Sequence, residues 1–171
     1  MVRMTQEQLN GLIAEIVRRV ESDPMPDGMQ RMLDAFHDGV AENFHRAVSS
    51  EGVPWPERKP DWVGDGHPLL IDPSDEYDLY AAATGGGINR IENRAFESGV
   101  SDADHPGALL HNFGGEVGGW FAGKGVQMPP REYLYANDEA LDAMADILAD
   151  QVQAIVASVV GGVTVGPSGP G

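Results

Sequence analysis

Helical periodicity at both ends of the chain is the sequence feature that most restricts its fold. Apolar residues recur every three or four positions, the spacing that places them on one side of an α-helix, in residues 5–22, 27–49 and 137–160. Thr5 and Gln8 form a capping-box pattern at the start of the first helix, and Asn137 is suited to cap the last. Three long helices are therefore predicted, and strands can occupy only the middle of the chain.

The middle of the chain begins with a segment that has neither helical nor strand periodicity. Residues 49–76 contain five prolines and three glycines, and both residue types interrupt regular structure. We expect residues 50–76 to form an extended arm that is anchored by Trp55 and Trp62. A loop of this length in a small domain usually serves function or assembly.

A small sheet is predicted after the arm. Residues 77–100 read as two strands joined by a turn at Gly85-Gly86-Gly87. A short helix at 106–113 and an extended piece at 126–128 are expected to follow. The fold class is then α+β, with a small antiparallel β-sheet packed with long N-terminal and C-terminal helices, plus the extended Pro/Gly-rich arm.

The length of the chain indicates one domain. A chain of 171 residues, 42% of them hydrophobic, can bury one sizeable core but is short for two. We expect residues 1–160 to form this single α+β domain, with residues 1–22 as its N-terminal helix. Residues 161–171 are rich in glycine and proline and are expected to form a C-terminal tail.

The charge of the chain is strongly acidic. It has 27 aspartates and glutamates against 11 lysines and arginines, a formal net charge of −16, and no lysine or arginine after Arg131. Because proteins bind phosphates mainly through lysine and arginine, the sequence excludes a large nucleic-acid-binding surface. Acidity of this kind also favours solubility.

Little in the sequence points to catalysis. There is no cysteine, so a zinc or iron site would need histidine and carboxylate ligands, and the best cluster is Asp104, His105, His111 and Glu116. The two histidines are six residues apart, whereas ligand pairs on one helix face are four apart. We expect no cofactor, no metal and no enzymatic activity, and keep a small metal-dependent hydrolase built on these residues as an alternative.

Three segments in a fixed order carry more specific information: residues 52–56 (GVPWP, followed by HPLLI at 67–71), residues 108–115 (ALLHNFGG) and residues 128–134 (MPPREYL). Together they resemble the phage virion morphogenesis family, the tail-completion proteins of Mu-like and related tailed phages. The resemblance spans roughly residues 36–157. The chain departs from the family pattern at residues 72–76, where the family has Thr-Gly, and at Gly107-Ala108, where it has Tyr-Ala.

The resemblance implies a structural virion protein, a tail-completion, tail-terminator or neck-ring subunit that joins the phage head connector to the tail. Its partners would be copies of itself, in a homo-oligomeric ring of six subunits in preference to twelve, together with the head-connector or stopper protein and the tail tube protein. DNA would pass through the lumen without specific binding, and an acidic lumen would repel its phosphates. An acidic adaptor that binds a basic partner protein is the alternative.

The expected location follows from the same resemblance. The protein would be found in the neck or tail of the virion, after assembly in the cytoplasm of the bacterial host. The sequence predicts no membrane-spanning segment, because no stretch approaches the roughly 20 uninterrupted apolar residues that are needed to cross a bilayer. The N-terminal residues also lack the apolar core of a secretory signal.

Large side chains in loop-like segments are the candidate interface residues. Aromatic and arginine side chains often anchor protein interfaces, which selects Trp55, Trp62, Trp120, Phe121, Arg131 and Tyr133. The guanidinium of Arg131 can pair with a carboxylate within the subunit or across a ring interface.

Overall fold

The computed structural model of the chain describes residues 5–57, 70–71, 78–105, 107–117 and 126–162. Its helices are α1 (Gln6–Ser22), α2 (Pro26–Arg46), α3 (Leu79–Ala81), α4 (Ala108–Phe113) and α5 (Asp138–Gly161). Its strands are β1 (Ile88–Ile91), β2 (Phe96–Gly99), β3 (Gly115–Val117) and β4 (Val126–Met128). The predicted α+β class is confirmed.

The strands of the described residues form two small sheets where one was expected. β1 pairs antiparallel with β2, so that Ile88 lies opposite Gly99 and Ile91 opposite Phe96. β3 pairs antiparallel with β4, with Gly115 opposite Met128. Neither two-stranded sheet is large enough to be stable alone, so both depend on the helices that they contact.

Helices α2 and α5 form the frame of the domain, and two glycines of α2 allow them to approach closely. A Cβ atom at Gly39 would lie 2.6 Å from the Cβ of Ala140, and one at Gly28 would lie 2.8 Å from Cγ of Gln151. Real Cβ contacts are not this short, so the position of Gly39 requires glycine, whereas at Gly28 the flexible side chain of Gln151 would have to move. The order of the contacts along the two helices shows that α2 and α5 are antiparallel.

The main hydrophobic core lies on the C-terminal half of α2. It consists of Val40, Phe44, Trp55, Ala83 and Tyr133. The ring of Phe44 meets Trp55 edge-on at 5.8 Å between centroids and lies 5.1 Å from Tyr133. Such tilted and edge-to-face contacts between aromatic rings are favourable. A second, smaller cluster of Met25, Met29 and Ile155 joins the N-terminal half of α2 to α5.

We expected a strand at residues 77–81. This prediction is wrong for residues 78–81, the part of the range that the structure describes. α3 continues into a π-helical turn over residues 82–86, and the side chain of Asp78 caps α3 by accepting a hydrogen bond from the backbone N–H of Ala81 at 3.2 Å. Alanine is the strongest helix former, and three alanines follow one another here. The alternation of large and small residues was therefore misread as a strand.

The strand turn that we predicted at Gly85-Gly86-Gly87 is also in the wrong place. Gly85-Gly86-Gly87 ends the π-helical turn and does not join two strands. The turn between β1 and β2 lies instead at residues 92–95, where the backbone N–H of Glu92 donates to the carbonyl oxygen of Ala95 at 2.8 Å.

The second helix also ends earlier than expected. α2 stops at Arg46, because Ala47 adopts a left-handed conformation with φ of 51°. Val48 then pairs with Pro54 in an isolated antiparallel bridge, and the N–H of Trp55 donates to the carbonyl oxygen of Ala47 at 2.7 Å. The described start of the predicted arm, residues 50–57, is thus tied to the end of α2; residues 58–69 and 72–76 lie outside the described residues.

Both predicted helix caps are confirmed. Thr5 and Gln8 form the reciprocal capping box at the start of α1. At the start of α5, Oδ1 of Asn137 accepts from the N–H of Ala140 at 2.9 Å, and its Nδ2 donates to Gly39 and to Asn43. Asn137 is buried, so it joins α5 to α2 in addition to capping it.

The double role of Asn137 can be tested by substitution. Asn137→Ala should lower the free energy of unfolding by about 2–4 kcal/mol, because a lost cap costs about 1 kcal/mol and buried groups left unpaired cost about 1–3 kcal/mol. Thr5→Ala, which removes the cap of the exposed helix α1, is the control and should cost no more than about 1 kcal/mol. Urea unfolding measures both. Equal losses in the two variants would contradict the role of Asn137 in joining the helices.

Candidate functional site

The three segments that carry the family resemblance meet in the structure. We call this meeting point the motif junction, and define it as residues 54–56, 108–114 and 130–134. These stretches are far apart along the chain, yet hydrogen bonds join the third stretch to the first and also to the second. The junction is therefore formed only when the chain is folded.

Trp55 joins the first segment to the third. Its Nε1 donates to the carbonyl oxygen of Glu132 at 3.0 Å, and its ring packs on Phe44. Ser50, a few residues earlier, donates from both its N–H and its hydroxyl to the carboxylate of Glu132, at 3.0 and 2.6 Å. The start of the arm is thereby held along the backbone of the third segment.

Asn112 joins the second segment to the third. Its Oδ1 accepts hydrogen bonds from the N–H groups of Tyr133 and Leu134, at 3.0 and 3.1 Å. The hydroxyl of Tyr133 donates back to the carbonyl oxygen of Ala108 at 3.3 Å. Burial, together with the nearby charge of Asp102, raises the pKa of Tyr133 to about 12, so the phenol remains a donor throughout the physiological range.

Arg131 contacts both of the other segments. Its backbone N–H donates to the carbonyl oxygen of His111 at 2.7 Å, and its Nε donates to the carbonyl oxygen of Pro56 at 3.2 Å. Gly114 makes room for this arrangement. It ends α4 with φ of +70°, and a Cβ atom there would lie 2.9 Å from the ring of Pro130, so that both its conformation and its surroundings require glycine.

Asn43 of α2 is a functional position that sequence reasoning missed. It is buried, and its Nδ2 donates to the carbonyl oxygens of Tyr133 and Tyr135 at 3.1 and 2.8 Å. Its Oδ1 accepts from Asn137 at 3.2 Å. A polar residue in the apolar stripe of a predicted helix was the available signal, because buried amides are retained where they are hydrogen-bonded.

The predicted interface residues divide into two groups. Trp55 and Tyr133 are only 5% and 2% exposed, and Arg131 is also buried. Side chains buried to this extent leave little surface for a neighbouring copy; all three pack within the chain, and their role at an interface stays a prediction. Trp62, Trp120 and Phe121 lie outside the described residues.

The candidate metal ligands do not form a cluster. Among the described residues, no group of three histidine, aspartate or glutamate side chains is placed to hold a metal ion. The Nδ1 atoms of His105 and His111 are both buried, and neither has a hydrogen-bond partner among the described residues. Burial, and secondarily the charge of Arg131, lowers the pKa of His111, which keeps its ring neutral near pH 7.

A histidine–serine pair, which the sequence did not suggest, lies at the edge of a cavity of about 430 Å³ between α2 and the β1–β2 hairpin. Nε2 of His37 is 2.9 Å from Oγ of Ser98, and Oγ of Ser98 donates to Oδ1 of Asn89 at 3.2 Å. Which of the two groups donates depends on the tautomer of His37, and the contact ties the hairpin to α2.

The surface of the described residues is dominated by carboxylates. Each described arginine already has a partner within the chain: carboxylates for Arg18, Arg19, Arg31, Arg46 and Arg90, and backbone carbonyl oxygens for Arg94 and Arg131. Exposed pairs of this kind add little stability. Because the described arginines are already engaged within the chain, the remaining acidic residues are in excess on the described surface.

Two helices also expose apolar side chains. No residue of α1 is buried, and its predicted apolar stripe exposes Leu9, Ile13 and Val17. On α5, Leu141 and Leu148 are exposed by 51% and 43%. Helix α5 is long and apolar enough to cross a bilayer. Core helices of soluble proteins meet the same criterion of length and composition. Apolar side chains grouped on a surface mark sites of association.

The arrangement as a whole is suited to contacts between surfaces. The junction is closely hydrogen-bonded and buried, and the exposed features are apolar rows and carboxylates.

Comparison with known proteins finds no family model, no curated protein and no solved structure that matches the chain. The interpretation therefore depends on the geometry of the described residues and on the sequence motifs.

The role of Trp55 in the junction predicts a loss of stability. Trp55→Ala should lower the free energy of unfolding by about 3–5 kcal/mol, the usual cost of removing a large buried aromatic side chain. Trp55→Phe keeps most of the packing but leaves the carbonyl of Glu132 unpaired, and should cost about 1–3 kcal/mol. Val53→Ala, at an exposed position two residues away, is the matched control in urea unfolding. If Trp55→Ala impairs assembly but unfolds at the same urea concentration as the unaltered chain, Trp55 anchors an interface.

The lowered pKa of His111 predicts a dependence of stability on pH. Because the pKa in the folded state lies below that of the unfolded chain, the neutral ring contributes stability above about pH 6.5, and this contribution is lost as the pH falls through the folded pKa. His111→Phe, which cannot titrate, should therefore lose less stability than the unaltered chain between about pH 7.5 and pH 5.5. The same dependence of stability on pH in His111→Phe and in the unaltered chain would refute the assignment.

Proposed function

We propose that the chain is a structural subunit of a tailed-phage particle, a tail-completion, tail-terminator or neck-ring protein that joins the head connector to the tail and lets DNA pass. The observation that carries the proposal is the motif junction. Of the three segments that resemble the phage virion morphogenesis family, the third is hydrogen-bonded in the fold to described residues of both of the others. A resemblance produced by chance would not require its segments to share one hydrogen-bonded core.

The roles of individual motif residues support the same proposal. Trp55, Asn112 and Tyr133 are bonded to one another's segments, and Gly114 is needed where α4 meets Pro130. These positions belong to the elements by which the resemblance was recognised. Their task in the fold is to hold the third segment against α2 and α4, which explains why a pattern of this kind would mark a shared fold.

The described surface supports a role in assembly. No residue of α1 is buried, and Leu9, Ile13 and Val17 are exposed; apolar surface on a subunit of a ring would be covered by the neighbouring copy. The excess of carboxylates suits a protein that surrounds DNA without binding it, since like charges repel the phosphates. In this proposal the partners are further copies of the chain, the head-connector or stopper protein and the tail tube protein.

The oligomeric state of the purified protein tests the proposal. We expect light scattering to give a mass close to six times the 18.3 kDa of the subunit, and negative-stain electron microscopy to show rings with an open centre. The mass should not continue to rise with concentration, because a closed ring has no free ends. Antibody labelling at the head–tail junction of particles that contain the chain would place it in the virion.

Two results would contradict the proposal. A protein that remains monomeric and binds a basic partner in equal amounts would favour the acidic adaptor, which the acidic surface also suits. Turnover of a substrate by the purified monomer would show an enzyme. Trp55→Ala cannot serve as an assembly variant in these experiments, because we expect it to unfold the subunit; the exposed substitution Ile13→Gln on α1 is the appropriate one.

A further inference from the structure

The cavity between α2 and the β1–β2 hairpin is lined by one face of the helix and one face of a strand, together with the glycine that precedes the strand. Its lining residues are Gln30, Leu33, Asp34 and His37 of α2, Asn89 and Ile91 of β1, and Gly85. Residues at intervals of three and four share one side of a helix, and alternate residues share one face of a strand. Its volume of about 430 Å³ lies within the range of about 300–1,000 Å³ that is usual for ligand sites.

Part of the lining is apolar. Leu33 is only 2% exposed, and Ile91 is 36% exposed. Ile91 lies on the face of the hairpin that is turned to α2, because its cross-strand partner Phe96 is in ring contact with Phe36 of α2, 6.1 Å away between centroids. These two side chains offer an apolar surface to a hydrocarbon chain.

The amide side chains in the lining direct their N–H groups to oxygen atoms of the chain itself. Nε2 of Gln30 donates to Oδ1 of Asp34 at 2.8 Å, and Nδ2 of Asn89 donates to the carbonyl oxygen of Gly85 at 2.7 Å. Oδ1 of Asn89 accepts from the hydroxyl of Ser98. Among the described residues, these bonds leave Oδ2 of Asp34 and Oε1 of Gln30 as acceptors without a donor.

The charge of the lining is negative. Asp34 supplies a carboxylate, and no arginine or lysine is among the described lining residues. Arg31, three residues before Asp34, pairs with Asp150 of α5 at 3.5 Å. Arg90 follows Asn89 and therefore lies on the opposite face of β1, where it pairs with Glu97 at 3.1 Å. Asp34 thus has no ion pair with any described arginine.

We infer that this cavity binds a guanidinium group, the side chain of an arginine that another protein presents to it. A guanidinium has five N–H donors and no acceptor, which suits a lining whose unused polar atoms are acceptors. Its planar fork pairs with the carboxylate of Asp34 and with Oε1 of Gln30, and its methylene stem packs on Leu33 and Ile91.

A different protein, in preference to a second copy of this chain, is the source of the group. Every described arginine already has a partner within its own subunit. Binding of a guanidinium also does not require the chain to form a ring. Ring formation is measured by mass and electron microscopy and guanidinium binding by titration, so that either result can be obtained without the other.

The direct experiment titrates the full-length protein with N-acetyl-arginine amide and follows its backbone amide groups by relaxation-optimised NMR. N-acetyl-citrulline amide, in which a neutral urea group replaces the guanidinium, is the matched probe at the same ionic strength. We expect saturable shifts at Asp34, Gly85 and Asn89 with a dissociation constant on the order of 1 mM, and at least about tenfold weaker binding of the citrulline compound. N-acetyl-lysine amide should also bind more weakly, because an ammonium lacks the planar fork.

Two variants with the same change in net charge locate the contact. Asp34→Asn keeps an acceptor for Gln30 but removes the carboxylate, and should weaken binding of the arginine compound by about tenfold or more. Asp146→Asn removes an exposed carboxylate of α5 that does not line the cavity, and should bind as the unaltered chain does. Because both positions are exposed, the unfolding midpoint in urea should be the same in both variants.

Several results would overturn the inference. One is the absence of shifts at Asp34, Gly85 and Asn89 up to about 50 mM of the arginine compound. Equal binding of the citrulline compound would remove the role of charge, and equal binding of the lysine compound would show a site for any cation. Equal weakening by Asp34→Asn and Asp146→Asn would show a response to the overall acidity of the chain. If Asp34→Asn alone abolishes self-association of the protein, a second copy occupies the cavity.

Discussion

The fold depends on the hydrogen bonds that side chains supply to one extended segment, residues 130–136. This segment is neither helix nor strand, so its backbone N–H and C=O groups have no regular partners, and buried groups without partners are costly. Asn112 accepts from two of its N–H groups, Asn43 donates to two of its carbonyl oxygens, and Trp55 donates to a third. The burial of Tyr133 among α2, α4 and the start of the arm depends on these bonds.

This constraint separates the buried part of the molecule from the exposed part. The junction uses the side chains of Trp55, Arg131 and Tyr133 for contacts within the chain. The surface of the described residues consists of carboxylates and of apolar rows on α1 and α5.

The long helices were predicted correctly because their causes are local. Apolar residues at a helical period and a capping side chain lie within the segment that they organise, and the capping box of Thr5 and Gln8 and the cap at Asn137 are present in the structure. The segment at residues 79–86 was mispredicted, because a short run with alternating side chains satisfies both a strand and a helix. Its packing against Phe44 and the cap from Asp78 favour the helix.

By itself, the sequence determined the α+β class, the positions of the three long helices, the acidity and the order of the motif segments, since these follow from residue identity and spacing. Only the tertiary structure decided which apolar faces are covered and where the buried amides form their hydrogen bonds. Asn112 resembles any other asparagine in the sequence, and Leu141 resembles a core leucine. Their roles depend on which residues come close in the folded chain, and that proximity arises between segments far apart in sequence.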